Sequence, residues 1–206
     1  MIVGPDFIWL HFPKCAGHAV ESALRRGLRG RRDVVFDRRW PHHHPGWHES
    51  VADREQHVDG FARHDRTVIS GFRRLPHWML SRVHFEAARP PHHVPTRDML
   101  RRGEFLHQNG KIGVADHQAR HFAGSVDRWI RTEHLAEDFE RHFSDILGAR
   151  AKLAMSRVNK VVNAAPLNYI KALEFHFTPD DLETLYAANP VWANIERELY
   201  GDLLRL

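Results

Sequence analysis

One cysteine, Cys15, is all that the 206 residues carry. That excludes an intramolecular disulfide and any metal or redox site built on a Cys-x-x-Cys pair, and it fits a reducing compartment. Long apolar runs are missing as well. None approaches the ~20 residues that span a bilayer, and the N-terminus lacks the basic-then-apolar order of a signal peptide. The expectation is a cytoplasmic protein without a membrane span. No GxxxxGK[ST] spacing occurs, which sets aside the P-loops of ordinary ATP and GTP enzymes. There is no internal repeat, and His42-His43-His44 is the only local compositional bias. Charge is not one-sided either: 30 Lys and Arg against 26 Asp and Glu leave a formal +4, so an anionic partner is plausible but not required, and nothing points to nucleic acid.

What is present suits one domain over residues 1–206, because 42% hydrophobic content fills one sizeable core but is short for two. Phe7-Ile8-Trp9-Leu10-His11-Phe12 is almost continuously apolar, as in a strand buried on both faces of a parallel sheet, and it ends at Pro13. Beyond Gly17, the apolar residues Ala19, Val20, Ala23, Leu24 and Leu28 recur at helical spacing. Val34-Val35-Phe36 and Thr67-Val68-Ile69-Ser70-Gly71-Phe72 read as further strands, and a helix follows near Pro76. Residues 89–112, with three prolines and two glycines, read as a long loop or a set of short turns. Helical spacing returns after Asp116, and Trp129-Ile130-Arg131-Thr132 reads as a strand. A helix follows with Leu135, Phe139, Phe143 and Ile146 on one face, and Thr178-Pro179-Asp180-Asp181 opens another. Strand-then-helix units predict an α/β fold with a central parallel sheet flanked by helices.

The order of strand, tight loop and helix at Pro13-Lys14-Cys15-Ala16-Gly17-His18 presents helix N-terminal N–H groups to an anion, with Lys14 adding a charge and Gly17 allowing close backbone approach. This segment resembles the PKxxGT-type loop of the sulfotransferase family. The resemblance extends to Phe72-Arg73-Arg74-Leu75-Pro76 and Ser81, similar to the family's second anchor, an Arg leaving a strand and a Ser about two helical turns later. Three further stretches follow in the family's order. Asp116-His117-Gln118-Ala119-Arg120-His121-Phe122-Ala123-Gly124 is similar to its NxQxRxLxG stretch, Ile130-Arg131-Thr132-Glu133-His134-Leu135 to RxExL, and Val158-Asn159-Lys160 to VNKS, with Val161 in place of the Ser.

The resemblance implies a three-layer, P-loop-like fold with the nucleotide at the carboxyl ends of the strands. It implies sulfuryl transfer from 3′-phosphoadenylyl sulfate (PAPS) to an acceptor hydroxyl of a saccharide or small metabolite, leaving 3′-phosphoadenosine 5′-phosphate (PAP). Pro13, Lys14, Cys15, Ala16, Gly17, His18 and Ala19 would form the donor loop, with Lys14 on the 5′-phosphosulfate; Arg73 and Ser81 would take the 3′-phosphate. Arg74 competes with Arg73, since the register is ambiguous by one residue. Cys15, His18 and Ala19 stand where the family commonly has Thr or Ser.

Transfer also needs a base for the acceptor hydroxyl, and histidine suits that role near neutral pH. Family members place a His or Glu between the first and third strands, where this chain has His42, His43, His44 and His48. His48 is the first choice because Ser50 can cap a helix just after it; His44 is second, and Glu49 could be the base or orient a histidine. The HHH run lacks the i,i+4 spacing and cysteine partners of a zinc site, so no metal is implied. Two rivals stay open: a nucleotide-dependent phosphoryl transferase, and a non-catalytic anion-binding protein on the same fold.

Overall fold

The computed structural model describes residues 1–36, 48–156, 170 and 172–206. In chain order the elements are β1 (Ile2–Val3), β2 (Phe7–Leu10), α1 (Gly17–Gly27), β3 (Val35–Phe36), α2 (Val51–His57), β4 (Thr67–Phe72), α3 (Leu75–Ala87), α4 (Arg97–Arg101), β5 (Glu104–Leu106), β6 (Ile112–Val114), α5 (Ala115–Ala123), β7 (Arg128–Arg131), α6 (Leu135–Leu147), α7 (Arg150–Ser156), α8 (Pro179–Ala188) and α9 (Pro190–Tyr200). The class is mixed α/β, with a mostly parallel central sheet flanked by helices. Two compact units divide the chain, one of residues 1–72 and 122–161 and one of residues 73–121 and 162–206.

The first unit is built on the sheet β3-β1-β2-β4-β7. β2, β4 and β7 run parallel, with Phe7 opposite Thr67 and Ile69 opposite Arg128, whereas β1 is antiparallel to both of its neighbours. All four residues of β2 are buried, as its unbroken apolar sequence requires of an interior strand. Alternation then sorts the side chains. Phe7, Trp9, Ile69 and Ile130 join one core with Val20 and Leu24 of α1, Phe139 and Phe143 of α6, and Met155 of α7. Each large side chain buried there contributes about 1.5–3 kcal/mol. A second aromatic group joins Phe12 to Phe122 at 4.9 Å and Phe72 to Trp129 at 5.4 Å between ring centroids. Ser70, the polar residue inside β4, donates its hydroxyl to the Leu10 carbonyl at 2.9 Å and so binds two central strands together.

The second unit packs α3 with the β5–β6 hairpin and with α8 and α9. Trp78 of α3 meets Trp192 of α9 at 4.7 Å and Phe105 of β5 at 5.6 Å. Asn189, fully buried between α8 and α9, donates to the carbonyls of Leu185 and Arg102 and accepts the N–H of Asp116. Its amide fills the place a Cβ would take at Gly103, whose φ of +73° also favours glycine. Thr178 and Asp181 form the capping box that opens α8, as the sequence predicts.

Residues 89–112 are more regular than their composition implies. They contain α4, capped by the Thr96 hydroxyl on the Met99 N–H at 3.2 Å, all of β5 and the start of β6. Only Phe105 of β5 is buried in that hairpin, so the apolar signal was a single residue.

Candidate functional site

At the end of β2 the chain turns through Pro13, Lys14, Cys15 and Ala16 into α1. Lys14 (φ +64°) and Ala16 (φ +59°) are both left-handed, alternating with Cys15 and Gly17, which are not. Left-handed backbone costs an L-residue about 1–2 kcal/mol, and two such residues in one short turn need contacts that hold them. Two glycines provide these. The Cys15 carbonyl oxygen occupies the place of a Cβ at Gly71 of β4, so the turn lies directly on the sheet. The Nε2 edge of the His11 ring occupies the corresponding place at Gly17. Gly17 was expected to open space toward a ligand; what stands against it is the His11 ring. Cys15 is buried, Lys14 is half-buried and His18 is exposed.

Alternation of left-handed with other conformations draws successive N–H groups into a concavity, an anion-binding nest. Lys14 and Ala16 follow that alternation and lead into the first turn of α1, where the Cys15 N–H already donates to the Phe12 carbonyl at 3.4 Å and the Ala19 N–H to the Ala16 carbonyl at 2.9 Å. The cap is Ala16, which makes no side-chain cap hydrogen bond, and no acidic residue lies in the first turn. Lys14 adds the only formal cation of the turn. Anion binding is what this arrangement can do.

Around it lies a cluster of histidines. His11 is buried, and its Nδ1–H donates to Oε1 of Glu21 at 3.0 Å. Nδ1–H of His48 donates to the His11 carbonyl at 3.1 Å. Both bonds put a proton on Nδ1, because a carboxylate and a carbonyl can only accept, so in the neutral form of each ring Nε2 is the unprotonated nitrogen. The His11 ring meets His18 at 5.3 Å and His48 at 5.1 Å, edge to face in both cases. Among the described residues no three His, Cys, Asp or Glu side chains are grouped so as to hold a metal ion. Glu49 is paired with Arg54, Nε to Oε2 at 3.2 Å, in the segment that enters α2 through the Ser50–Asp53 capping box. His42, His43 and His44 lie outside the described residues, as do Val158, Asn159 and Lys160.

His11 and Glu21 were not singled out from sequence. Glu21 carried a signal: with Gly17, Val20, Leu24 and Leu28 it completes the buried stripe of the helix, where a carboxylate needs a partner.

In the second unit, Arg73 is half-buried and its carbonyl accepts the indole N–H of Trp192 at 3.1 Å. Ser81 is half-buried on α3. Arg74 has a different setting: its guanidinium reaches Glu196 at 3.3 Å and Asp202 at 2.7 Å and lies 4.2 Å over the Tyr200 ring. Glu196 also accepts the Leu75 N–H at 2.8 Å and the Tyr186 hydroxyl at 2.8 Å. Burial pushes the Glu196 carboxyl above its ordinary value despite these donors.

The remaining motif residues are engaged in the fold. Asp116 accepts the Trp192 N–H at 2.9 Å and pairs with Arg120 at 3.2 Å. Arg131 grips Asp138 with two guanidinium contacts of 2.8 Å and its own N–H at 2.9 Å. Burial alone would raise the Asp138 pKa, but Arg131 more than offsets it and holds it below the ordinary value. No helix of the described residues is long and apolar enough to cross a membrane. No protein-family model matches the chain, and no significant match was found among the curated proteins or the solved structures.

Proposed function

We propose that the chain is a sulfotransferase that moves a sulfuryl group from PAPS to an acceptor hydroxyl of a saccharide or small metabolite. The observation that carries the reading is the left-handed turn at Lys14 and Ala16, seated on Gly71 and opening α1, which supplies a backbone cradle and a cation for the 5′-phosphosulfate. Two features add support. β2 and β4 are adjacent and parallel, so the donor loop and the chain entering Arg73 leave the carboxyl ends of neighbouring strands, where open α/β sheets bind nucleotides. His48 has a hydrogen bond that makes Nε2 its basic nitrogen, as a base for the acceptor hydroxyl requires.

In this reading Lys14 stabilises charge on the leaving oxygen, and Arg73 and Ser81 bind the 3′-phosphate. Arg73 is preferred for its spacing to Ser81, and Arg74 is paired with Glu196 and Asp202. His48 takes the acceptor proton, with His44 second. The three-layer P-loop-like architecture and a cytoplasmic location belong to the same proposal. Titration calorimetry with PAP and with ATP tests it. Binding of PAP in preference to ATP is expected, and the reverse preference would overturn the reading. PAP binding without sulfuryl transfer to any of a panel of saccharide and small hydroxyl acceptors would assign a non-catalytic nucleotide-binding protein instead, to which the missing loop hydroxyls at Cys15, His18 and Ala19 would then belong.

A further inference from the structure

Glu21 and His11 have no role in the proposal above, yet both are buried, at 7% and 3% exposure, and His11 touches Gly17 and His48. A carboxylate out of water is strongly unfavourable without a partner, and Glu21 has one in the His11 Nδ1–H at 3.0 Å. His11 lies beyond the last ladder residue of β2, Leu10, so its ring contacts help to place its backbone.

We infer that Glu21 and His11 are positioning residues that set both the start of the anion loop's helix and the tautomer of His48. The chain of contacts runs one way. Glu21 fixes the His11 ring through Nδ1–H; the Nε2 edge of that ring packs on Gly17, where α1 begins; the carbonyl of the same residue accepts Nδ1–H of His48 at 3.1 Å. The histidine side chain in water favours the opposite tautomer, with the proton on Nε2, so His48 depends on this carbonyl to present a basic Nε2. In the transfer step the acceptor hydroxyl proton passes to that nitrogen while its oxygen bonds to sulfur and the bond from sulfur to the bridging phosphate oxygen breaks, releasing PAP. Glu21 and His11 touch none of the reacting atoms. They act through Gly17 and His48.

The effect on turnover rests on the sulfotransferase reading, but the tautomer of His48 does not, so two readouts separate the claims. Imidazole nitrogen NMR at pH above the His titration reads the tautomers directly. His11 and His48 are expected to be Nδ1-protonated in the wild type and in Glu21→Gln, whose amide oxygen still accepts. In folded Glu21→Leu both should lose the single tautomer, and turnover should fall about 10- to 100-fold, the range for removing a group that orients a functional imidazole. PAP affinity should change less than turnover. Retention of the Nδ1–H form of His48 in Glu21→Leu would overturn the inference. Should that variant not fold, Gly17→Ala, whose Cβ collides with the His11 ring, carries the same two tautomer outcomes. A wild type that ignores PAP would overturn the sulfotransferase reading while leaving the tautomer result to decide the positioning role.

Discussion

The carbonyl oxygen of Cys15 lies against the α-carbon of Gly71, in the space a side chain would need. A two-residue register shift along β4 would put Ile69 there, so the Pro13–Ala16 turn and the strand beside it are matched at one position. Gly71→Ala should therefore lower stability by about 1–3 kcal/mol, the range for overpacking a tight site, and weaken PAP binding at the same time. Thermal unfolding and calorimetry measure the two effects. A variant with wild-type values in both would show that the loop does not rest on β4 as described.

The left-handed turn separates charge from backbone. Lys14→Ala should weaken PAP binding by about 1.5–3 kcal/mol, as for hydrogen bonds to charged groups. Ala16→Gly should instead raise stability by about 0.5–1 kcal/mol, because glycine relieves a left-handed cost of ~1–2 kcal/mol while losing more chain entropy on folding, and it should leave PAP affinity nearly unchanged. Denaturant unfolding that showed Ala16→Gly to be destabilising would contradict the φ of +59°.

Neighbouring arginines should separate cleanly. Arg74→Ala removes one partner of a fully buried carboxylate, Glu196, and should reduce stability by about 1–3 kcal/mol with little effect on PAP affinity. Arg73→Ala should weaken PAP binding by about 1.5–3 kcal/mol, a loss of affinity that Arg74→Ala does not share. Calorimetry and denaturant unfolding on the two variants read all four quantities, and interchange of the two patterns would move the 3′-phosphate anchor to Arg74.

Replacing the proposed base should give a kinetic signature. His48→Ala should lower kcat by about 10²- to 10⁴-fold, the usual contribution of a general base, with PAP affinity retained. A wild-type rate would transfer the role to His44 or Glu49.

Acid should act on the second unit in two stages. Burial, with a smaller effect of His176, lowers the His84 pKa to about 4. Between the ordinary value of about 6.5 and that point the unfolded chain binds a proton that the folded chain does not, so stability falls as pH drops through this window. Arg97 and the Thr178 N–H lower Asp181 to about 2, so its contribution is complete above the ordinary carboxylate range and disappears as pH falls toward that value. Thermal unfolding against pH should show a weaker upper stage in His84→Asn, with the remainder due to His107, which burial also lowers, and a weaker lower stage in Asp181→Asn.

Much of the frame was readable residue by residue. β2 and β4 are uninterrupted apolar runs, and α1 and α6 show their buried faces at helical spacing, because in each case period and burial agree. β1 was not seen, since two residues ahead of Gly4-Pro5 give no periodicity to detect. At the site, residue types pointed to Pro13–Gly17 as an anion loop, but lysine and alanine carry no sign of left-handed backbone; Lys14 and Ala16 adopt it under contacts from Gly71 and His11. The difference between Arg73 and Arg74 could not be read locally either, because the partners of Arg74 are Glu196 and Asp202, more than a hundred residues further on.

Glu196 gives α3 an anion of its own. With a carboxylate already on the Leu75 N–H, the positive end of that helix is neutralised from within. A phosphate recruited by Arg73 and Ser81 would gain little from the helix and would depend on the charge of a half-buried arginine side chain, which dissolved salt still screens in part. One held at Lys14 would sit on oriented backbone dipoles, which salt screens less. Raising ionic strength would then loosen the 3′ end of a bound nucleotide before the 5′ end, and discrimination between PAP and a nucleotide lacking the 3′-phosphate would fade as salt is added.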